Sequence, residues 1–296
     1  MTLNRILLIG ASGNLGTLIL KHLLASPSKF EVTVLTRESS TAQFPSKVAV
    51  RKVADDYPPA QLVEAFKGID AVVSAISMTG MHEQYKFIDA CLAAGVKRYF
   101  PTEYGLDDLP TWLTDLRPMF KIKHDVRDYA MAKEKEGLDW TCIICNVFFE
   151  MGVRSGFFQF FWDEKKATII GGGETKWVAT TLDNCALAVV RALEKDEQTK
   201  NKLLVIQDFT TSQKEILDAI EAKTGKWQVE EIPFDKWLED TKQQVRSGDN
   251  SALGKLTMGV VLPGSDWRGR PEYANELLDL PPKTFKEAME DALQGV

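Results

Sequence analysis

Short apolar runs alternate with amphipathic stretches through the first half of the chain. Apolar runs rich in β-branched residues predict strands, and stretches whose apolar residues recur every three or four positions predict helices. The strands are predicted at residues 5–9, 31–36, 48–53, 71–76, 98–101 and 140–147, and the helices at 15–25, 59–66, 84–94 and 121–135. Repeated alternation of strand and helix indicates a parallel sheet that is covered by helices on both faces.

This alternation weakens after about residue 150. Residues 156–166 are strongly aromatic, and residues 167–184 predict two strands about a turn of three consecutive glycines, 171–173. No helix start follows these glycines directly, so we expect a surface turn rather than a second phosphate loop. Residues 281–293 predict a closing helix.

Three glycines follow the first predicted strand in the spacing G-x-x-G-x-x-G: Gly10, Gly13 and Gly16. In such a loop the first glycine permits the tight turn, the second lets the backbone approach a pyrophosphate, and the third lets the helix pack closely on the strand. The helix that begins near Asn14 would direct its free N–H groups and positive dipole end at that anion. Glycine-rich turns also occur without a ligand, but a place on the first strand-to-helix turn favours a dinucleotide loop.

Arg37 lies at the end of the second predicted strand and is followed by Glu38. Folds that bind NAD usually have an acidic residue about here for the ribose hydroxyls, whereas an arginine pairs with the 2′-phosphate of NADP. Arg37 therefore favours NADP; a solvent-exposed arginine, or a ribose contact from Glu38, is the alternative.

These patterns predict an α/β fold in two parts. Residues 1–150 would form a Rossmann-type, doubly wound parallel sheet that binds the cofactor. Residues 151–296 would form a smaller C-terminal α/β region that binds the substrate, and about 177–207 would return to the first domain.

The composition and charge of this 296-residue chain limit the classes of molecule that it could bind. Hydrophobic residues make up 44% and charged residues 26%, which is ordinary for a globular protein, and the net charge is -6. Because nucleic-acid phosphates are bound by clustered Lys and Arg, this balance argues against a nucleic-acid partner. No signal peptide and no apolar run of membrane length is visible, so we expect a cytoplasmic protein with no membrane partner. We predict no metal site and a monomer or homodimer.

Four cysteines include Cys142 and Cys145, which spell C-x-x-C. Both lie in the apolar run of residues 140–149, where the alternation of a strand would turn them to opposite faces. We therefore expect two buried core thiols rather than a redox pair.

The helix predicted at 121–135 carries the candidate catalytic residues. Tyr129 and Lys133 have the Tyr-x-x-x-Lys spacing of short-chain dehydrogenases, but they fall late in the helix, away from the sheet edge where a cofactor lies. We therefore expect Tyr129 to be a buried core residue. Lys123 is one turn into the helix, and Met119 stands four residues before it, where that pattern would have the tyrosine. From the residues alone, a solvated helix lysine is the better interpretation of Lys123.

Several further stretches span nearly the whole chain: GASGNLG (10–16), YKFIDACLAAGVKRYFPTEYG (85–105), KHDVRDY (123–129), WTCIICNVFF (140–149), GGGETKWVATTLDNCALAV (171–189), FTTSQKEILDAIEAKTGK (209–226) and NELLDLPPKTFKE (275–287). Together they resemble the isoflavone reductase-like branch of the atypical short-chain dehydrogenases, also called the NmrA-like family, and most closely its fungal members. FPTEYG and the segment that begins at Lys123 are far more specific than the glycine spacing.

This resemblance implies an NADPH-dependent reductase. Plant members, which include isoflavone, phenylcoumaran benzylic ether and pinoresinol-lariciresinol reductases, transfer hydride to phenylpropanoid-like molecules, so an aromatic enone, ketone or benzylic ether is the expected substrate. The helix lysine that assists proton movement in those enzymes matches Lys123, with Arg127 four residues on. Lys123 would act as general acid or base. The aromatic residue beside the nicotinamide in the family matches Phe148.

The expected site residues follow from the loop, the strand ends and this resemblance. The cofactor contacts are predicted to be Gly10, Ser12, Gly13, Asn14, Leu15, Gly16, Arg37, Ser39, Ala75, Lys123, Asn146 and Phe148. The substrate contacts are predicted to be Thr102, Tyr104, Phe149, Met151, Phe157, Phe158 and Trp162. Thr102, Glu103 and Tyr104 could instead cap a helix or turn, and the aromatic residues could instead be plain core.

Two other functions stay open on such a fold, because a fold alone does not determine function. The regulator NmrA binds dinucleotide and is not known as an enzyme; it lacks the lysine that matches Lys123, so this lysine favours catalysis. The other is a non-redox isomerase or cyclase that has lost or repurposed the cofactor.

Overall fold

The computed structural model describes residues 3–107 and 109–295. The strands in chain order are β1 (Arg5–Ile9), β2 (Glu31–Arg37), β3 (Ala49–Val53), β4 (Ala71–Ser74), β5 (Arg98–Phe100), β6 (Asp139–Ile144), β7 (Val147–Phe148), β8 (Phe160–Phe161), β9 (Lys166–Ile170), β10 (Trp177–Thr180), β11 (Lys202–Val205), β12 (Phe209–Thr211) and β13 (Gln228–Ile232). The helices are α1 (Asn14–Ala25), α2 (Pro59–Phe66), α3 (Gln84–Ala94), α4 (Thr111–Leu116), α5 (Ile122–Ala132), α6 (Phe149–Arg154), α7 (Leu182–Glu194), α8 (Asp196–Thr199), α9 (Gln213–Thr224), α10 (Phe234–Arg246), α11 (Leu253–Val261) and α12 (Phe285–Ala292).

A parallel sheet forms the centre of the fold. In the described part of the chain it has seven strands in the order β11-β6-β5-β4-β1-β2-β3, and every neighbouring pair is parallel. The strand order reverses beside β1, so a crevice opens at the carboxyl ends of β1, β2 and β4, which is where such sheets bind ligands. The predicted Rossmann-type, doubly wound parallel sheet is confirmed.

Both faces of this sheet are buried because side chains alternate along each strand. On β1, Ile6 and Leu8 pack into one core with α1 and α7, whereas Leu7 and Ile9 pack into another with α2, α3 and α5. All four side chains are at most 1% exposed. Each fully buried aliphatic side chain of this kind contributes about 1.5 to 3 kcal/mol of transfer free energy, so the two layers hold the strand ends in place.

The strand predicted at 140–147 is two strands. β6 ends at Ile144, and Asn146 adopts the left-handed conformation with φ 58°. Its N–H donates to the Gly105 carbonyl oxygen at 2.9 Å, which draws the chain out of the main sheet. β7 then pairs with β10 in a separate sheet. The break places Asn146 at the carboxyl edge of the main sheet.

The second half of the chain has its own apolar core, which we call the C-terminal core. It contains Phe149, Phe158, Phe160, Trp177 and Met258, all fully buried. The segments predicted as two strands about a glycine turn are β9 and β10. They belong to different sheets, because β9 pairs with β8 and β13 whereas β10 pairs with β7 and β12.

The connections of the C-terminal half return to the main sheet. The glycines at 171–173 all have positive φ, and the first two are exposed, as expected of a surface turn. After β10, α7 packs against α1, and β11 then extends the main sheet beside β6. This path brings the end of β10 next to the end of β6, where the two halves meet.

Tyr129 is not a buried core residue, contrary to the expectation from the sequence. Its ring is half-buried, and its hydroxyl donates to Asp89 Oδ1 at 2.6 Å on the protein surface. Lys133 lies over the same ring, with Nζ 5.0 Å from the ring centre. α5 packs against α3 at this point, so the tyrosine lies at the rim of a helix–helix contact instead of under the helix.

The four cysteines are all free and buried, and Cys142 and Cys145 are the two for which burial was expected. Cys142 packs into the core under α3 and α5, and Cys145 packs into the core under α1 and α7, so the two lie on opposite faces. Burial raises the pKa of Cys91, Cys142 and Cys185 well above that of a free thiol. These thiols therefore behave as apolar core groups.

Candidate functional site

A groove of about 440 Å³ lies at the carboxyl ends of β1, β2 and β4. Among the residues predicted to contact a cofactor, it is lined by Gly10, Ser12, Gly13, Arg37 and Ala75. Aromatic and polar side chains that sequence reasoning missed complete its wall: Phe44, Asp55, Tyr57, Ser77 and His82. The groove is thus a largely polar crevice at the place where the strand order reverses.

The glycines of the loop are not equivalent. Gly10 has φ +83°, and a Cβ there would collide with the Ala75 carbonyl oxygen. A Cβ on Gly16 would collide with the Gly10 carbonyl oxygen, so the fold itself requires glycine at both positions. A Cβ on Gly13 would lie 3.4 Å from its nearest neighbour, an ordinary contact distance. The protein alone therefore leaves room for a side chain at Gly13, unlike at Gly10 and Gly16.

α1 begins directly after the glycine loop that lines the groove. Gly13 is the N-cap, and because glycine has no side chain it cannot cap the first N–H groups of the helix. Leu15 and Gly16 are buried beneath the turn, whereas Ser12 and Asn14 are exposed above it. Uncapped N–H groups at a helix start attract anions, so this end of α1 suits a pyrophosphate.

Arg37 ends β2 with an exposed side chain that lines the groove. Within the described residues, Glu38 does not line it. Ser39 is engaged already, because its N–H and hydroxyl both donate to Asp55, at 3.1 and 2.5 Å. These two hydrogen bonds, helped by Arg37, lower the pKa of Asp55. Arg37 is thus the cation at this end of the groove, with an ionised carboxylate nearby.

Lys123 is the second residue of α5 and is half-buried. Its Nζ donates to the main-chain oxygen of Glu103 at 2.9 Å. A Cβ on Gly105 would lie 2.8 Å from this nitrogen and 3.9 Å from the Asn146 carbonyl oxygen, so glycine makes space for the ammonium group. Lys123, Gly105 and Asn146 are thereby brought together at the ends of β5 and β6.

Glu103 lies directly behind this lysine with a side chain that is 1% exposed. Among the described residues, neither of its carboxylate oxygens has a hydrogen-bond partner. The nearest cation to Oε1 is Arg127, whose Nε lies 3.8 Å away. Burial raises the pKa of Glu103 to about 7, although Lys123 and Arg127 both act to lower it.

Arg127 belongs to a buried group of charges that extends into the C-terminal half. Its Nη1 donates to Asp107 Oδ1 at 2.9 Å, and Arg270 Nη2 donates to Asp107 Oδ2 at 2.6 Å. The His124 ring contacts the Asp107 carbonyl oxygen at 2.7 Å. Hydrogen bonds from the two arginines hold the pKa of Asp107 below its usual value despite the burial of this carboxylate.

Two of the predicted substrate contacts point into the protein instead of the groove. The Thr102 hydroxyl accepts from the Ile76 N–H at 3.2 Å and donates to the Ser74 hydroxyl at 2.9 Å, which links the ends of β4 and β5. Tyr104 is 6% exposed and packs in the core under α1 and α7. Burial raises the pKa of its phenol well above the usual value.

An apolar recess of about 210 Å³ adjoins Asn146. Phe148, Met151 and Phe157 line it, so the structure brings these three predicted residues together. The Asn146 side chain is held at its edge by donating to the Val178 carbonyl oxygen at 2.7 Å. Met151 is 38% exposed and also meets Asn14 of the glycine loop, with Nδ2 3.7 Å from its sulfur.

The other predicted aromatic residues do not line this recess. Phe149 and Phe158 are fully buried in the C-terminal core, where Phe149 stacks edge-on against Phe209. Trp162 lines a different groove, and its indole N–H donates to the Val153 carbonyl oxygen at 2.9 Å. Sequence periodicity could not separate Phe158 and Trp162 from Phe157, because all three lie in one aromatic run, residues 156–166.

Comparison with known proteins identifies the family. A model of the NmrA-like family matches residues 2–247 of the chain. The chain belongs to the NmrA-like family. Oxidoreductase aprR of Aspergillus flavus is 33% identical over 296 residues, which cover 98% of this chain and 99% of that protein. The isoflavone reductase homolog IRL of Zea mays is 30% identical over 251 residues and covers 75% of each chain.

Solved structures of the same fold include reductases. The crystal structure of isoflavone reductase matches all of both chains with a TM-score of 0.77 and 26% identity. The structure of AtPrR2 with NADP+ and (+)pinoresinol matches 99% of this chain and 100% of its own, with a TM-score of 0.79 and 24% identity. This NmrA-like chain is therefore an oxidoreductase with the fold of isoflavone reductase.

Two features are absent from the described residues of this NmrA-like protein. None of its helices combines the length and the apolar character that crossing a membrane requires. No group of three or more His, Cys, Asp or Glu side chains is arranged to hold a metal ion within residues 3–107 and 109–295.

Proposed function

We propose that this protein is an NADPH-dependent reductase of aromatic, phenylpropanoid-like small molecules and that Lys123 is its proton donor. The single observation that carries the proposal is the place of Lys123. Its ammonium group lies between Glu103, Gly105 and Asn146 at the carboxyl edge of the sheet, and Asn146 also lines the apolar recess. The membership of the family and the reductases among its relatives support the same conclusion.

The groove fits a phosphorylated dinucleotide. Gly13 is free of a side chain where the protein leaves room for one, and the first turn of α1 offers N–H groups to a pyrophosphate. Arg37 would pair with the 2′-phosphate, because a guanidinium group binds phosphate through paired hydrogen bonds. The ligands of one structural neighbour, AtPrR2 with NADP+ and (+)pinoresinol, agree with this choice.

Bound NADPH supplies the hydride of the reduction. The part of this chain is to place the substrate and to supply the proton. Lys123 holds a proton at Nζ and would donate it to the oxygen on which negative charge develops. Its hydrogen bond to the Glu103 carbonyl oxygen, at 2.9 Å, directs the ammonium group toward the edge of the sheet.

The recess formed by Phe148, Met151 and Phe157 would hold the aromatic part of the substrate. Its lining is mainly apolar, and the Asn146 main chain brings a polar edge close to Lys123. An apolar pocket with few convergent polar groups is typical of small-molecule sites. Phe149 and Phe158 support this wall from the C-terminal core behind it.

A titration and a turnover assay together test the proposal. The purified protein is titrated with NADPH, and absorbance at the nicotinamide band is followed with a panel of aromatic enones, ketones and benzylic ethers. Lys123→Ala should lower kcat by about 100-fold or more and leave the Kd for NADPH within about threefold. Lys133→Ala, at the residue that follows the last residue of α5, is the matched control and should change neither kcat nor the Kd for NADPH.

Three outcomes contradict the proposal, each in a different way. Tight binding of NADPH with no turnover of any compound in the panel indicates a dinucleotide sensor. Product formation without NADPH indicates a non-redox isomerase or cyclase. Full turnover by Lys123→Ala removes the lysine from the mechanism but leaves the reductase assignment in place.

A further inference from the structure

We propose that Glu103 is a positioning residue for Lys123: its carboxylate, paired with Arg127, fixes the loop after β5 against α5 so that its carbonyl oxygen holds the lysine ammonium. This inference rests on the proposed function of Lys123. It goes beyond that function because it assigns a role to a buried carboxylate that contacts neither the groove nor the recess.

One residue makes both contacts. The Glu103 main-chain oxygen accepts from Lys123 Nζ at 2.9 Å, and its carboxylate lies 3.8 Å from Arg127 Nε. Lys123 and Arg127 are four residues apart on α5, so their side chains share one face of that helix. Two contacts from a single residue to two side chains one turn apart set the distance between loop and helix and the direction of the Lys123 side chain.

Stability alone does not account for a carboxylate at this position. The side chain is 1% exposed, and among the described residues both of its oxygens are without a hydrogen bond. Burying a carboxylate in this way is costly, and an apolar side chain of similar size would avoid the cost. Local violations of this kind are typical of functional sites. The charge of Glu103 therefore points to a function that an apolar residue could not perform.

Arg127 is itself held by a second carboxylate. Asp107 accepts from Arg127 at 2.9 Å and from Arg270 at 2.6 Å, and Arg270 lies 163 residues further along the chain. The guanidinium group of Arg127 is thus held in place between two buried carboxylates. We call the contacts of Glu103 with Lys123 and Arg127 the clamp. Since Arg270 belongs to the segment after α11, its pairing with Asp107 connects this clamp to the C-terminal half.

The clamp depends on the ionised form of Glu103. The charged groups that face its carboxyl group are Lys123, Arg127 and Asp128 on α5 and Asp107 on the loop after β5, and the neutral Cys142 thiol on β6 is the other titratable group there. Burial raises the pKa of Glu103 to about 7 against the two cations. The carboxyl group is therefore protonated below pH 7, where its attraction for Arg127 is lost, and ionised above it.

Kinetics test the positioning role. We expect Glu103→Gln to lower kcat by about tenfold or more, because a small displacement of a catalytic group costs this much, while the Kd for NADPH changes less than twofold. In the unaltered enzyme, kcat at saturating substrates should fall as the pH drops through about 7. Glu103→Gln should lack this acidic limb, since a glutamine does not titrate.

An NMR experiment detects the effect of Glu103 ionisation on Lys123 and does not depend on enzyme activity. Reductive methylation with ¹³C-formaldehyde gives dimethyl-lysines that keep their charge, and the Lys123 signal is identified by its loss in Lys123→Arg. We expect this signal to shift with a midpoint near pH 7 in the otherwise unaltered protein. In Glu103→Gln the shift at this midpoint should be absent.

Two further variants distinguish a positioning role of Glu103 from a general disturbance of the fold. Arg127→Lys keeps the charge facing Asp107 but removes Nε from Glu103, so it should lower kcat and abolish the acidic limb even if Glu103→Gln fails to fold. Asp196→Asn removes the partner of buried Arg98, paired at 2.5 Å at the amino end of β5. This control should leave kcat and its acidic limb unchanged.

Separate results overturn the two proposals. If Lys123→Ala loses turnover but Glu103→Gln and Arg127→Lys keep the kcat and the acidic limb of the unaltered enzyme, the positioning role is wrong and the catalytic lysine stands. If Lys123→Ala keeps full turnover, the catalytic lysine and its positioning by Glu103 both fall. An NMR signal of Lys123 that titrates identically in the unaltered protein and in Glu103→Gln also refutes the positioning role.

Discussion

Replacing Glu103 by glutamine removes a buried carboxyl group while it keeps the length and shape of the side chain. In the folded protein, burial raises the pKa of Glu103 from 4.5 to about 7. The folded protein therefore keeps a proton that the unfolded chain releases above pH 4.5. The stability that this bound proton contributes is fully present below pH 4.5 and is lost as the pH rises through 7.

The size of the effect follows from the difference between the two pKa values, which is about 2.5 units. At 1.36 kcal/mol per unit, the ionised carboxyl group costs the folded state about 3 kcal/mol above pH 7. Part of this cost is already present at pH 5. The free energy of unfolding of Glu103→Gln, relative to the unaltered protein, should therefore rise by about 2 to 3 kcal/mol between pH 5 and pH 8.

Urea unfolding of both proteins at pH 5, 6, 7 and 8 measures this difference. The slopes of the unfolding free energy against urea concentration are compared, because a changed slope would show that the unfolding is no longer the same two-state process. The amide of glutamine adds a constant offset, which cancels when only the change with pH is considered. Glu290→Gln, an exposed carboxylate on α12, is the matched control, and its difference should stay constant. A difference for Glu103→Gln that stays constant within about 0.5 kcal/mol, or that falls with pH, would refute the reasoning.

Three further predictions concern the groove and the core. Gly13→Ala should weaken NADPH binding at least tenfold with little change in Tm, whereas Gly16→Ala should lower both the affinity for NADPH and Tm, because a Cβ collides with the protein at Gly16 and not at Gly13. Calorimetry and thermal unfolding measure the two effects, and equal losses of Tm would contradict this distinction. Arg37→Ala should weaken NADPH more than NADH in a fluorescence titration, since only NADPH carries the 2′-phosphate, and equal weakening would remove the NADP assignment. The four buried thiols should resist a thiol-specific reagent in the native protein and react once it is unfolded in urea; rapid reaction of the native protein would show that these sites open.

Features that depend on neighbouring residues could be predicted from the sequence. The apolar runs of the six predicted strands and the glycine spacing after the first are local patterns, and the parallel sheet that they imply is confirmed. The place of Lys123 near the start of a helix after β5 also follows from order along the chain. Its role in catalysis came from the resemblance of KHDVRDY and FPTEYG to a family, and it stays a prediction.

Features that depend on contacts between residues far apart in the chain could not be predicted from the sequence. The run 140–149 has one pattern of apolar residues, yet it divides at Asn146, whose N–H meets the Gly105 carbonyl oxygen. Phe157 and Phe158 are neighbours in an aromatic run, but one lines the recess and the other is fully buried. Tyr129 shares the period of a core residue and lies at the rim of a helix contact.

The division has a physical cause. Periodicity and glycine spacing reflect the geometry of the backbone over a few residues, so the sequence by itself determined the sheet, the loop and the class of cofactor that it suits. Burial and charge pairing reflect which parts of the chain meet after folding. The pairing of Asp107 with Arg270 and the burial of Glu103 behind Lys123 were decided by tertiary structure alone. The surroundings of the candidate catalytic lysine are therefore a property of the whole fold, although the lysine itself could be found from one short stretch.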